Sequence, residues 1–525
     1  MASHQNDIVA IIDAAPPVEI EAQFKDGQSP LSNSSETNTP MRQSGRRAPS
    51  RDKLIACADA AELWHDANRV PYASYKVRGH TEHWPLGSRH FRMWLASEYY
   101  RATAQGVGGT ALDDVMRILE ARAINDGPAF EPRVRVGGTD GKIYLDLCDD
   151  AWRAVEIGPR GWMVVEKPAI HFLRTPAMRS LPVPEPGGLV ESLYGFLNTS
   201  EEDARLIIAW LIGGMRECGP YPLLVLNGEQ GSGKSLASRM IRSLIDPNAA
   251  PIRSAPNDER DIVISATNSH VLCFDNLSGM SGTLSDALCR LSTGAGFATR
   301  ALHTNADEMI FEAARPVLLN GIPHLADRAD LSSRAITVHL RTIGDRERRP
   351  EDEFLRDFAA ARPAILGALL DAVSAALRNL DLIKLDRLPR MADFAKWVTA
   401  AEPGLGWAKD SFLHIYERNM RQVEEGAFEA DMIAVAIRDY ITPTKYPGGF
   451  RGSPTELLNV LSAAVPDVIR RARGWPVKAQ QMGNAFERAK PLLRHRGFHV
   501  ERHRGGQREI VIVPPQPASD DEIPV

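Results

Sequence analysis

Apolar positions recur at helical spacing in several stretches of this chain and gather into strand-like runs in others. Between Lys53 and Asn68, and again between Ser88 and Thr103, they return every three or four residues, with Phe91, Trp94, Leu95 and Tyr99 forming one such stripe. That period predicts two helices, because residues so spaced share a helix face. From 132 to 175 the pattern changes to short runs, Val134-Arg135-Val136, Ile143 to Leu147 and Trp162 to Val165, separated by Gly-Gly and Asp-Gly turn signals. These predict a small sheet. The Pro-rich stretch 181–188 reads as a linker. Thr199 with Glu202 then forms a capping-box pattern for a helix running through Met215. Strand and helix patterns alternate from there to about 345, as in a sheet with helices on its faces. Helical periodicity returns over 350–440, in Phe354, Phe358, Ile365, Leu369, Leu370, Val373 and Leu377. Residues 450–513 show two helical stretches and then two apolar runs flanking Gly505-Gly506, which predicts a hairpin.

This segmentation agrees with length. A chain of 525 residues predicts three or four domains at about 150 residues each. Residues 1–50 are rich in Ser, Asn, Gln, Thr and Pro without periodic apolar positions, the composition of a disordered tail, and 514–525 read as a flexible acidic tail. Between them lie an α+β accessory domain over 51–188, an α/β core over 189–345, a helical lid or connector over 346–445 and a small basic domain over 446–513. Apolar residues at 43% and charged residues at 25% describe a globular protein, and a formal net charge of -5 carries no global nucleic-acid signature. The charge is local instead: Arg451 to Ile510 holds twelve Lys or Arg against five acids. Five cysteines without a C-x-x-C pair fit a reducing compartment and argue against a zinc ribbon. With no contiguous apolar run near 18 residues and no leader-like N-terminal segment, the expectation is a cytoplasmic protein without a membrane partner.

Chemistry enters at residues 228–235. The apolar run Leu223 to Leu226 leads into Gly228-Glu229-Gln230-Gly231-Ser232-Gly233-Lys234-Ser235, followed by a helical segment. A phosphate-binding loop belongs between a strand and a helix, because its glycines let the backbone turn and the helix N-terminus faces the anion. All eight residues are expected to cradle ATP, with Lys234 on the outer phosphates and Ser235 on Mg²⁺. A second strand, Val271 to Phe274, delivers Asp275 as the other metal anchor. A third, Val317 to Leu319, ends in Asn320, expected beside the γ-phosphate and attacking water. Arg334, ahead of the strand Ala335 to Leu340, is a candidate arginine finger.

The ordered series of phosphate loop, Asp-ended strand, Leu291-Ser292-Thr293-Gly294-Ala295-Gly296, Asn320-Gly321-Ile322-Pro323 and Arg334 resembles the superfamily 3 helicases, the AAA+ replicative motors of viruses, phages and mobile elements. The resemblance covers about residues 200–345. It implies a P-loop AAA+ core assembled as a homo-oligomeric ring, hexameric in that family, in which Arg334 completes a neighbour's site. It also implies that a hairpin bearing Arg300 and His303 tracks single-stranded DNA in the channel, and, more weakly, that a helical lid and a winged helix follow the core. One position departs from the pattern: where such ATPases carry a second carboxylate after the Asp, this chain has Asn276. An amide cannot accept a proton, so Asn276 orients water by hydrogen bonding or the base comes from elsewhere, with Glu229 one candidate.

Two helices followed by a Gly-Gly hairpin outline a winged helix in the basic C-terminal domain, with Lys478 to Arg494 as the helix that meets duplex DNA and Arg502, Arg504 and Arg508 on the wing. Lys478, Arg488, Arg502 and Arg504 are its candidate DNA contacts. Asp146, Asp149 and Asp150 could be polymerase-type metal ligands but read better as a strand end and turn. The expected function is an ATP-hydrolysing DNA helicase or motor in the replication of a mobile element or phage-type replicon. The alternative is an ATP-dependent DNA-binding switch or initiator with slow hydrolysis and no unwinding.

Overall fold

The computed structural model describes residues 50–256, 258–277, 279–300, 308–311, 314–321, 329–504 and 508–516. The accessory part begins with α1 (Ser50–Ala58), an antiparallel meander of β1 (Glu62–His65), β2 (Pro71–Val77) and β3 (His80–Pro85), and two helices, α2 (Arg89–Thr103) and α3 (Gly109–Asn125). The helix expected to Asn68 stops at Ala58. Residues 62–65 form a strand because Trp64 is buried only there, stacked on Tyr72 at 4.4 Å with Nε1 donating to Ser74 Oγ at 2.8 Å. Helix α2 follows its predicted stripe: Ser88 Oγ accepts from the Phe91 N–H, and Phe91, Leu95 and Tyr99 are buried. The predicted small sheet consists of β4 (Val136–Thr139), β5 (Lys142–Asp146), β6 (Ala154–Gly158) and β7 (Gly161–Val165), antiparallel in chain order. Asp140 and Gly141 join its first hairpin with φ of 52° and 71°, the left-handed pair that a two-residue turn between twisted strands requires.

Residues 181–188 contain neither helix nor strand, yet they are packed rather than free. Leu181 and Pro184 are buried, and a Cβ on Gly188 would come within 2.0 Å of the Ala364 carbonyl oxygen. Helix α4 (Glu201–Gly214) is capped at Ser200, whose Oγ accepts from the Asp203 N–H at 3.1 Å, and not at Thr199 as expected. Thr199 is diverted to the His339 carbonyl, to which its hydroxyl donates at 2.8 Å. The core continues with β8 (Leu223–Gly228), α5 (Lys234–Ser243), α6 (Glu259–Asn268), β9 (Leu272–Leu277), α7 (Gly282–Thr293), the hairpin strands β10 (Phe297–Arg300) and β11 (Glu308–Phe311), β12 (Val317–Gly321), α8 (Ala329–Ser332) and β13 (Ala335–Leu340). Strands β13-β8-β12-β9 form a parallel sheet in that order, and a single parallel bridge between Arg253 and Phe274 extends it beyond β9. Burial on both faces accounts for the uninterrupted apolar runs of these strands.

Helices α9 (Glu351–Asn379), α10 (Ala392–Leu405), α11 (Ser411–Ala430) and α12 (Met432–Tyr440) follow. By length and composition α9 could cross a membrane, against the expectation from contiguous runs. Most of its apolar length is buried, against α10, α4, β6 and β7, so it serves here as a core helix. The C-terminal body comprises β14 (Phe450–Gly452), α13 (Pro454–Ala464), α14 (Asp467–Arg470), α15 (Ala479–His495), β15 (His499–Arg504) and β16 (Arg508–Val513), its sheet ordered β14-β16-β15 and antiparallel. Its apolar core runs from Ala427 to Ile512 and takes in α12, so this body starts before residue 446.

Accessory sheet and core meet at a buried ion pair. Arg135, fully buried, donates from Nε to Asp246 Oδ1 at 3.1 Å, from Nη1 to the Asp146 carbonyl at 2.8 Å and from Nη2 to the Arg179 carbonyl at 2.8 Å. Asp246 Oδ2 accepts from the N–H groups of His270 and Val271, each at 3.1 Å. Burial pushes the Asp246 carboxyl up, but Arg135 and Arg242 together outweigh it and hold the group below its ordinary range. Burial pushes His270 down to about 4, with its Nε2 2.7 Å from the Gly214 carbonyl oxygen.

Removing one partner of a buried pair leaves an uncompensated charge, so Arg135→Met should cost about 3–5 kcal/mol in chemical denaturation; a loss below about 1 kcal/mol would count against this pair as the joint. Asp246 and His270 both bind protons more weakly folded than unfolded. The contribution of His270 is therefore complete above the unfolded His value near 6.5 and is lost as pH falls toward 4, while that of Asp246 is lost only below the ordinary Asp value of about 4. Melting temperatures should decline steadily over that window, and a flat profile would contradict the assignment.

Candidate functional site

The phosphate-type loop lies where β8 ends and α5 begins. Gly231 and Gly233 have φ of 83° and 81°, which Cβ-bearing residues rarely adopt. Gly228 is confined differently: a Cβ there would meet Ser232 Oγ at 2.5 Å and the Leu340 carbonyl oxygen at 2.9 Å. Ser232 is buried, its Oγ donating to the Glu229 carbonyl at 2.9 Å, which closes the loop on itself. Lys234 Nζ donates to the carbonyls of Gly228 at 2.7 Å and Glu229 at 2.8 Å, so its ammonium stands over the loop's concave side. Glu229 and Gln230 are exposed, and Glu229 Oε2 accepts from Thr342 Oγ1 at 3.1 Å.

The structure brings Ser235 and Asp275 together. Ser235 Oγ donates to Asp275 Oδ1 at 3.0 Å, although forty positions separate them. Parallel strands β8 and β9 end on the same side of the sheet, with β12 between them, and this delivers both side chains to one rim. A hydroxyl and a carboxylate in contact, beside a glycine-lined loop at a helix N-terminus, fit a hard divalent cation with a polyphosphate.

Asn320 does something other than expected. It is buried, its Nδ2 donating to Ser238 Oγ at 2.7 Å and its Oδ1 accepting from the Asn276 N–H at 3.0 Å. Both amide atoms are thus engaged inside the protein, and Asn320 braces the end of β9 rather than facing the rim. The register between β12 and β9 slips at this point: Leu319 pairs with Phe274 but Gly321 with Leu277, so Asp275 and Asn276 together oppose Asn320. This bulge carries Asn276 into the left-handed region at φ 56°, with its side chain exposed.

Arg334 lies at the other end of the sheet. Its neighbour Ala335 pairs with Leu223 at the start of β8, whereas Leu340 pairs with Gly228 at the loop. Five residues of strand, about 16 Å, therefore separate Arg334 from its own chain's loop. Gly294, with φ 79°, terminates α7 within the Thr-Gly-x-Gly segment and turns the chain toward the hairpin of β10 and β11. Arg300 closes β10, its backbone paired with Glu308; His303 lies outside the described residues.

The segment after β13 was missed in the sequence. The Arg341 carbonyl accepts from Asn198 Nδ2, the Ile343 side chain lies 3.4 Å from the Cβ direction of Gly233, and Arg348 Nη2 approaches that of Gly231 at 4.0 Å. Pairing of Leu340 with Gly228 forces the departing chain past the loop, a signal that needs the strand order and not only the motif.

Asp146 pairs with Arg174 at 2.6 Å and Asp149 with Arg153 at 2.6 Å, in keeping with their reading as a strand end and turn. Among the described residues no group of three or more His, Cys, Asp or Glu gathers as for a metal. In the C-terminal body Lys478 precedes α15, and Arg488 is exposed on it. Arg502 is turned inward, with Nη1 donating to the Gly483 carbonyl at 2.7 Å and lying 3.5 Å from Glu487 Oε1. It pins β15 to α15 and is withdrawn from the wing surface expected of it. Arg504 pairs with Arg508 across the two hairpin strands.

Residues 190–409 match the family model of the actinomycete integrative conjugative element replication protein RepA, and residues 433–520 match that of the RepA C-terminal domain. Together the two matches span more than half of the chain and take in the parallel sheet, α9, α10 and the C-terminal body. No curated protein matches. Among solved structures, the A-form apo C-terminal region of NrS-1 is similar at 12% identity and a TM-score of 0.38, over 88% of this chain and 98% of that one. A further apo structure of the NrS-1 C-terminal region (305–718) gives 12% identity and a TM-score of 0.38 over 88% and 99%. Scores of this size assign no fold.

Gly228→Ala should force the loop from Ser232 and the Leu340 carbonyl, lowering stability by about 1–3 kcal/mol in denaturant unfolding; an unchanged midpoint would mean the close approach is not real.

Proposed function

Because this chain belongs to the replication proteins of actinomycete integrative conjugative elements, we propose that its core binds ATP with Mg²⁺ and hydrolyses it as a superfamily 3-like DNA motor in copying such an element. The observation that carries this reading is the contact of Ser235 with Asp275 beside Lys234 and the glycine loop. Ser235 and Asp275 would hold Mg²⁺, which when bound neutralises charge on the outer phosphate oxygens. Lys234 exchanges its carbonyl partners for phosphate, and the N–H groups opening α5 face the same anion. The sheet order β13-β8-β12-β9, with the bridge at Arg253 as an outer fifth position, supports an AAA+ core.

The distance of Arg334 from its own loop means that a finger role for it requires a neighbouring subunit's site, which is the arrangement proposed. In the ring so formed, Arg300 and His303 contact single-stranded DNA. The C-terminal body binds duplex DNA through Lys478, Arg488 and Arg504; the order β14, α13, α14, α15, β15, β16, with α14 a single turn, supports a winged helix. A second reading, a nucleotide-controlled switch or initiator with slow turnover, is favoured by Asn276, whose exposed amide stands where a proton acceptor would speed hydrolysis.

Lys234→Ala should lower ATP turnover more than about a hundredfold, and undiminished turnover would remove the site assignment. Arg334→Ala should be similarly inactive alone, yet mixing it with Lys234→Ala should restore turnover, because mixed neighbours combine an intact loop with an intact finger. Absence of recovery in a mixed oligomer would argue against sharing between subunits. Unwinding of forked DNA, measured beside turnover, separates the readings: turnover with unwinding supports the motor, and turnover without it supports the switch.

A further inference from the structure

Helix α15 has two faces of different chemistry. Met482, Ala485, Phe486, Ala489, Leu492 and Leu493 are buried, and the helix packs on α12, α13 and β15. Gln480, Asn484 and Arg488 are exposed and four residues apart, which aligns them along one outer side, with Arg488 at its edge, where it also interacts with the Asp431 carboxylate that caps α12. The only acid in the helix, Glu487, is half buried and lies 3.2 Å from Lys490 and 3.5 Å from Arg502, so no carboxylate stands free on the outer face. Gln481 is excluded as well, because its Oε1 accepts from the N–H groups of Val477 at 2.9 Å and Lys478 at 3.2 Å.

The two ends of the helix are not equivalent. At the C-terminal end His495 lies 3.5 Å from Glu424 and Arg496 pairs with Glu425 at 3.0 Å, fastening that end to α11 across a cleft of about 870 Å³. Ahead of the N-terminal end, Arg471, Arg473 and Lys478 are exposed.

We propose that Gln480, Asn484 and Arg488 read base edges in the major groove of duplex DNA, so that the C-terminal body recognises a particular base sequence. A carboxamide offers a donor and an acceptor side by side, matching adenine N6 and N7, and a guanidinium matches guanine O6 and N7. A face built for phosphate alone has no use for two carboxamides in line with an arginine. The stretch from 480 to 488 covers about 12 Å of helix axis, room for three to four base pairs. Arg471, Arg473 and Lys478 hold the flanking phosphates, which sets the register of the readers without selecting sequence.

This inference rests on duplex DNA binding by the C-terminal body, and the test keeps the two apart. The full chain and its Asn484→Ala and Arg488→Ala variants are each put through selection on a randomised duplex library, with melting curves and oligomeric state recorded on the same samples. Both side chains are exposed, so melting should not change. Wild type should enrich a motif, and each variant should lose about ten- to a hundredfold preference at one or two of its base pairs. Asn484→Ala, which alters no charge, should keep its affinity for unselected duplex. Binding without any enriched motif would overturn base reading and leave DNA binding intact. A motif retained by both variants would overturn these residues as its readers. Failure of wild type to bind duplex, with self-association weakened by the variants, would assign the face to a second copy and overturn both readings.

Discussion

The contact between Arg135 and Asp246 is the constraint on which the joint between the antiparallel sheet β4 to β7 and the parallel-sheet core turns. A guanidinium and a carboxylate removed from water cost several kcal/mol each unless every remaining valence is met. Here they are met from three sources: the end of β5, the strand-free segment around Arg179, and the chain just before β9. None of these can shift without stranding a buried donor or acceptor. Asp246 also fixes the start of β9, because its Oδ2 accepts from the N–H groups of both His270 and Val271. The far end of that strand carries Asp275. Accessory sheet and the rim that carries Ser235 and Asp275 are therefore linked through one extended strand, a stiff element with little freedom to absorb a displacement.

At the rim itself the chemistry depends on a break in regularity. Strand side chains alternate faces, and unbroken pairing of β9 with β12 would keep that alternation through its last residues. The bulge opposite Asn320 suspends it. A left-handed Asn is tolerated at about 1–2 kcal/mol, and the bond from its N–H to Asn320 offsets part of that cost. Asn320 in turn is anchored by Ser238 on α5, the helix that starts at Lys234. Loop, helix, β12 and β9 are closed into one circuit of hydrogen bonds, which accounts for a buried polar residue at a site whose other members face outward.

Much of this was legible because the relevant signals are local. The strand, glycine loop and helix over 223–243, the stripe of α2, the Asp140-Gly141 turn and the antiparallel pairing of β15 with β16 each follow from residues a few positions apart, while Gly505 and Gly506 themselves lie outside the described residues. What escaped depended on partners distant in sequence. Trp64 reads as helical until Tyr72 and Ser74 lie opposite it, and Thr199 reads as a cap until His339 competes for its hydroxyl. Arg502 counts as positive charge on a wing until Gly483 and Glu487 take it inward. Arg135 sat in an apolar run without any mark of its role, since its partner lies 111 positions away. The proline-rich stretch misled for the same reason: its composition suggests a tether, while the backbone of α9 closes over Gly188.

The separation of Arg334 from the glycine loop has a consequence for symmetry. Side chains given from one end of a sheet and received at the other belong to two different surface patches, and a two-fold axis joins a patch only to itself. An arrangement in which neighbours complete one another is then head-to-tail, with the same unlike pair of surfaces meeting at every junction. Such a contact has no intrinsic stopping point: it ends only when the rotation from one copy to the next brings the last back to the first, and otherwise continues as a helical filament. In an assembly of that kind, the tilt of one subunit on the next, and not the strength of any single contact, would decide between a closed and an open form.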